Sequence, residues 1–136
     1  MAKDWETPAD FFAKVAARHN FTIDLAATKV NAKCARYYNS RDNALSQDWV
    51  GEIAWCNPPV GRGLNEWIEK AAQTVASSAE TIIVMLVPAR TDTKWFHNFC
   101  LENDNCTVEF IKGRLKFGGS STPAPFPSML LTFRKY

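Results

Sequence analysis

No apolar run in the 136 residues approaches the ~18 that a membrane span needs. The run from Ile82 to Val87 suits a buried strand instead. Met1-Ala2-Lys3-Asp4-Trp5-Glu6 holds no apolar signal core, so a cytoplasmic protein is expected. The four cysteines, Cys34, Cys56, Cys100 and Cys106, form no CxxC pair, and His19 and His97 stand apart. That spacing argues against a zinc site and for reduced, buried thiols, and no metal is expected. Charge of one sign is scarce too: 16 Lys and Arg against 14 Asp and Glu leave +2. This balance excludes a histone-like polybasic protein, yet it allows a local basic patch. No repeat or interdomain linker breaks the chain.

What is present is a globular composition, 46% hydrophobic and 22% charged. Residues 1–136 are expected to form one domain. Thr7 as N-cap, Pro8 at the first helical position and Asp10 in the first turn open a helix. Phe11, Phe12, Val15 and Ala16 are its apolar stripe. A short strand is expected over Phe21 to Leu25, one or two helical turns over Lys29 to Ala35, and a brief strand at Arg36-Tyr37-Tyr38. Glu52 to Cys56 reads as a strand stopped by Pro58 and Pro59. From Leu64 the period becomes helical, with Trp67, Ile68, Ala71, Ala72 and Val75 on one face. Thr81 to Val87, continuously apolar, predicts a central parallel strand buried on both faces and ended by Pro88. Asp92 is placed to cap a helix carrying Trp95, Phe96 and Phe99. Cys106 to Ile111 and Ser128 to Phe133 are expected to pair antiparallel around a Gly/Pro loop. The sum is an α/β protein with a mostly parallel sheet, a C-terminal antiparallel strand pair, and helices on both faces. Ligands in such sheets sit at the carboxyl ends of the strands. Three segments fall there: Asp24 to Ala27, Asn57 to Val60 and Pro88 to Asp92.

Asn57-Pro58-Pro59 carries the strongest chemical signal. Two successive prolines have no backbone donor, so their carbonyls serve only as acceptors, and Asn57 adds a side-chain carbonyl. Together they suit both hydrogens of a planar amine. Such a nitrogen is a poor nucleophile until hydrogen bonds draw it toward tetrahedral geometry for attack on a methyl donor. Positive charge then builds beside acceptors aimed at it.

Asn-Pro-Pro followed by an aromatic residue is the catalytic signature of amino-methyltransferases using S-adenosylmethionine. The chain as a whole resembles the phage-type DNA N6-adenine methyltransferase family. The matching stretches are Trp5-Glu6-Thr7-Pro8 with Phe11-Phe12, Phe21 to Ala27, Asn31 to Cys34, and Trp55 to Pro59 with Gly61. They continue through Pro88 to Thr93 with Trp95-Phe96-His97, Gly113-Arg114 with Lys116-Phe117, and Ala124 to Ser128. The resemblance implies a Rossmann-like methyltransferase sheet, S-adenosylmethionine as cofactor, and methyl transfer to the adenine N6 amine of DNA. Trp5, Thr7 and Pro8 look like a segment over the cofactor, with Asp24, Ala26 and Ala27 as its loop. Asp42 or Asp48 is implied at the ribose or adenine; the spacing does not choose between them. Asn57, Pro58 and Pro59 look like the amine-binding segment, with Asn57 also beside the cofactor. Arg62, Arg90, Lys94, Arg114 and Lys116 are candidate DNA contacts.

Two departures stand out. Position 60 is Val where the family pattern has an aromatic ring that stacks on the target base; such stacking is worth ~1–3 kcal/mol. Phe117 and Phe126 are the candidates to replace it. No separate target-recognition domain is visible, so low or short sequence specificity is expected, or specificity from a homodimer or a partner protein. Adenine would flip out of the duplex into the pocket. The alternative reading, raised by Val60, is a catalytically impaired member of the fold that binds cofactor, DNA or a partner. A further alternative is methyl transfer to RNA or to a protein glutamine.

Overall fold

The computed structural model describes residues 6–61, 63–119 and 121–136. Its elements in chain order are α1 (Ala9–Ala16), β1 (Ile23–Asp24), β2 (Ile53–Cys56) and α2 (Leu64–Ala76). Then come β3 (Ile82–Pro88), α3 (Lys94–Phe96, continued to Leu101 by one π-helical turn), β4 (Cys106–Phe110) and β5 (Ser128–Arg134). The five strands form one sheet in the order β1-β2-β3-β5-β4. β1, β2 and β3 pair parallel, while β5 pairs antiparallel with both β3 and β4. Four strands therefore run one way and β5 alone runs the other. The sheet is Rossmann-like, and the expected C-terminal antiparallel pair is present.

The two-residue period of each strand sorts its side chains onto two faces. Ile23, Ala54, Cys56, Ile83, Met85, Val87, Met129, Leu131 and Phe133 pack against α2 and α3. Trp55, Val84, Leu86 and Leu130 face Val15 of α1 together with Phe117 and Ala124 of the late loop. Helices thus cover both faces. α1 is pinned by an aromatic cluster: the Phe12 ring lies edge-on to Trp55 at 5.1 Å and stacks on Phe21 at 5.8 Å. On the other face, Trp49 packs on Trp67 at 6.0 Å, with the Lys70 ammonium 5.0 Å from the Trp49 ring centre. That contact ties the loop before β2 to α2. The stripes Phe11/Val15 and Trp67/Ala71 are both core-facing, as their spacing predicts.

The structure departs from expectation in four places. Pro8, not Thr7, is the N-cap of α1: its ψ of 137° is extended, which leaves Thr7 outside the helix. The helix after β3 is capped by Thr93 rather than Asp92, because the Thr93 hydroxyl accepts from the Phe96 N–H at 3.3 Å. β3 is buried on both faces, but only β2 lies parallel to it; its other neighbour is antiparallel β5. Residues 29–35 form a turn closed by Ala32 N–H to the Thr28 carbonyl rather than a helix. The brief strand at Arg36-Tyr37-Tyr38 is present as a parallel bridge from Tyr37 to Asp24. All four cysteines are free, Cys56 and Cys100 buried and Cys34 and Cys106 half-buried.

Candidate active site

The parallel strands put the three sequence-predicted segments on one rim of the sheet, at the carboxyl ends of β1, β2 and β3. β5 enters at the same rim, since Ser128 pairs with Pro88. Thr7 reaches it from the other side. The Glu6 carboxylate lies 3.8 Å from the Lys33 ammonium, and the Glu6 carbonyl accepts from Gly118 N–H at 2.9 Å. The N-terminal segment therefore bridges the loop beyond β1 and the loop beyond β4.

Asp24 organises the first part of the rim. It is buried, and its two carboxylate oxygens accept from the backbone N–H of Ala26 at 3.1 Å and of Lys33 at 3.0 Å. Burial pushes its pKa above the ordinary carboxylate range, against the pull of those two hydrogen bonds and the Lys33 charge. Leu25 N–H bonds to the Trp55 carbonyl and Ala27 N–H to the Tyr38 carbonyl. The loop thus closes on itself around the carboxylate. Two thiols lie within the field of Asp24: Cys34, pushed up to about 11 by burial and then by that charge, and Cys56, raised by its complete burial. Both shifts favour the neutral thiol over the thiolate nucleophile.

Asn57, Pro58, Pro59 and Val60 leave β2 directly. Pro58 is buried, Asn57 and Val60 half-buried, and Pro59 exposed. The strand's period that turns Trp55 toward α1 brings Asn57, two residues on, to the same side of the rim. The chain then turns into α2 through Gly61 and Gly63, at φ 125° and 90°, a region where side chains are strained. The position that carries an aromatic ring in the resembled pattern thus stands between a rigid diproline and a left-handed turn, with a short aliphatic side chain.

The remaining candidates divide by location. Asp42 follows Tyr38 beyond the end of β1, and its carboxylate accepts from Asn39 N–H at 2.8 Å. Asp48 accepts from Val50 N–H in the turn that feeds β2, where Gly51 N–H bonds to Thr81 at the start of β3. Asp48 is therefore at the amino end of the sheet, apart from the rim. Arg90 and Lys94 are exposed after β3, and Arg114 and Lys116 are exposed after β4. The loop beyond β3 is held by the His97 ring, whose Nε2 lies 2.8 Å from the Thr91 carbonyl. Phe117 is buried in the α1-side core, 6.0 Å from the half-buried Phe126. Of the two, Phe126 retains surface for stacking. Trp5 and Arg62 lie outside the described residues. Among the described residues, no group of three His, Cys, Asp or Glu side chains is placed to hold a metal ion.

Two buried hydroxyls on this rim have no hydrogen-bond partner among the described residues: Thr7 Oγ1 and Ser128 Oγ. A buried hydroxyl left unsatisfied costs ~1–3 kcal/mol, so such atoms point to a ligand that completes them. Thr7 was a sequence candidate. Sequence reasoning misses Ser128, although it closes the matching stretch Ala124 to Ser128; its signal is a polar residue ahead of the apolar run Met129-Leu130-Leu131. Hydroxyl groups at the rim, a carboxylate-organised loop and an acceptor-rich diproline fit an amino-acid-bearing nucleoside cofactor and a planar amine.

Comparison with known proteins agrees with this geometry. The model of the DNA N-6-adenine-methyltransferase (Dam) family matches residues 1–135. A DNA N-6-adenine-methyltransferase of Haemophilus phage HP1 (strain HP1c1) is 29% identical over 120 residues, 87% of this chain and 68% of that protein. The protein of the same name from Escherichia phage T1 is 31% identical over 94 residues, covering 68% of this chain but 38% of the phage protein. The YfdM protein of Escherichia coli (strain K12) is 39% identical over 66 residues. With the family model spanning nearly every residue, the chain belongs to the DNA N-6-adenine-methyltransferase (Dam) family.

Proposed function

We propose that this chain transfers a methyl group to the N6 amine of adenine in DNA, from S-adenosylmethionine, at the carboxyl rim of its sheet. The carrying observation is the convergence there of Asn57-Pro58-Pro59 with Asp24 and with the buried Thr7 hydroxyl, which has no partner among the described residues. When bound, the cofactor supplies an electrophilic methyl group. Thr7 and the loop Asp24, Ala26 and Ala27 hold it, with Asp42 the better placed acid for its ribose. Asn57 and the Pro58 carbonyl accept the two N–H bonds of the adenine amine and orient its lone pair. As the new N–C bond forms, the methyl group's bond to sulfur would break with its electron pair left on sulfur, and the same acceptors stabilise the positive charge that nitrogen gains. The proton leaves afterwards, so no general base is required before attack. Arg90, Lys94, Arg114 and Lys116 contact the phosphates around a flipped adenine, and Phe126 stands in for part of the missing stack. Recognition within residues 1–136 rests on a few rim residues, so specificity is low or short.

Labelled methyl incorporation into unmethylated DNA tests the reading. Asn57→Ala should lower transfer by roughly 10²–10³-fold while the fold, followed by thermal melts, persists. Equal transfer by the variant and the natural chain would remove Asn57 from the mechanism. One observation favours a second reading, a cofactor- or DNA-binding protein without transfer: Val60 presents no ring to the base. Transfer gained only in Val60→Tyr would establish it.

A further inference from the structure

One groove of the molecule stands apart from the diproline. It lies between α1 and β4 with the loop beyond it, and encloses about 540 Å³. Its walls carry five cations, Lys14, Arg18, Lys112, Arg114 and Lys116, against two carboxylates, Asp10 and Glu109. That is a surplus of three positive charges in a chain whose entire surplus is two. Arg18 and Glu109 neutralise each other at 3.0 Å. Among the described residues, Lys14, Lys112, Arg114 and Lys116 have no carboxylate within salt-bridge distance. Phe110, 63% exposed, stands at the edge of the same groove.

The groove is also placed for an extended anion. β4 runs parallel to β2, so its carboxyl end opens on the same rim as Asn57. Three strand intervals of ~4.8 Å put it about 14 Å from the end of β2. That is close to the ~12 Å width of the DNA major groove. A duplex offering a base at β2 therefore lays a phosphate strand along α1.

We propose that this groove seats the DNA backbone, with Lys14 of α1 and Lys112 joining Arg114 and Lys116 as phosphate contacts. The proposal rests on DNA as the substrate and adds a surface outside the methyl-transfer site. Binding then depends on salt, because each phosphate neutralised releases counterions. The test is fluorescence anisotropy of a labelled unmethylated duplex against sodium chloride concentration. Lys14→Gln with Lys112→Gln should flatten the slope of log affinity against log salt by about 1.8, from ~0.9 per contact. Lys135→Gln, at the opposite end of the sheet, should leave it unchanged. If the double variant fails to fold, Lys112→Gln alone should give about half the change. An unchanged slope overturns the proposal, as does duplex RNA competing better than DNA. So does a change in sedimentation without a change in DNA affinity, which would make the groove a contact between copies. Salt-dependent binding absent from the natural chain overturns it as well. Labelled methyl incorporation at saturating DNA is read in parallel, so loss of the groove and loss of the catalytic reading give different results.

Discussion

Val60 sets the chemistry's weakest point at the scale of a residue. A valine buries less than an aromatic ring and offers no π-face, so under the proposed function an adenine at this site lacks a stacking partner worth ~1–3 kcal/mol. Val60→Tyr is expected to lower the KM for DNA by roughly 5–150-fold, the range that such an energy spans. Steady-state kinetics with a fixed duplex checks it, and an unchanged or higher KM would mean that Phe126 or another group already holds the base. Asp24 and Glu52 give a second residue-scale expectation, because their shifts have opposite signs. Asp24 has its pKa raised above 3.8 by burial. The folded form therefore holds the extra proton, and the contribution of Asp24 is greatest below 3.8 and declines as pH rises through the raised value. Glu52 is lowered below 4.5, first by its hydrogen bond from Arg36 and also by Thr22, with partial burial opposing. Its contribution is present above 4.5 and is lost as pH falls through the lowered value. Asp24→Asn should therefore gain more stability than the natural protein between pH 3 and 7, and Glu52→Gln less. Urea midpoints at both pH values measure this, and parallel pH profiles would contradict it. Asp24→Asn also breaks one of two backbone hydrogen bonds, a pH-independent loss of ~1–3 kcal/mol.

Among the elements, the first helix shows how a local rule and a binding role compete. Thr-Pro before a helical stripe signals a threonine cap, and in isolation Thr7 would fill that role. In the fold, Pro8 takes the cap and Thr7 is buried with no hydrogen-bond partner among the described residues. A hydroxyl withdrawn from capping and buried costs stability that a ligand bonded to it would offset. Thr7→Val should leave thermal stability equal or higher while weakening S-adenosylmethionine binding by about 5–150-fold, the ~1–3 kcal/mol cost of leaving its buried partner unsatisfied. Calorimetry beside thermal melts separates the two effects, and equal affinity would assign Thr7 to packing alone. Elements with strong periodicity were legible in the sequence. α2 begins at Leu64 and buries Ile68, Ala71, Ala72 and Val75, as their spacing requires. The motif Asn57-Pro58-Pro59 was legible because its chemistry is local. Asp48 was not separable from Asp42, because the difference depends on which end of the sheet each loop visits. That is decided by the parallel bridge at Tyr37 and the contact of Gly51 with Thr81. Ser128 escaped for the same reason: its burial comes from pairing with Pro88, 40 residues earlier. The basic groove unites α1 with a loop nearly 100 residues away, so no window of sequence displays it.

For the whole molecule, the near-neutral charge conceals an uneven distribution. The basic surplus lies along one edge strand and its neighbouring helix. A protein that grips DNA by backbone contacts and reads few bases should methylate adenines in many sequence contexts. Sequencing of methylated positions after limited reaction on a mixed-sequence duplex pool is expected to show a preference confined to one to three base pairs, and a longer consensus would require a reading element beyond the rim. The reversed direction of β5 bears on this. β4 leaves the sheet and β5 returns to it at the same functional edge, so the connection from 111 to 127 begins and ends there. Chain inserted in that connection would extend from the rim beside β4 without shifting any strand register. The fold thus offers a modular port: base-reading chain can be added at the exposed stretch 121–123 of that connection while Phe117 and Ala124 keep their places in the α1-side core.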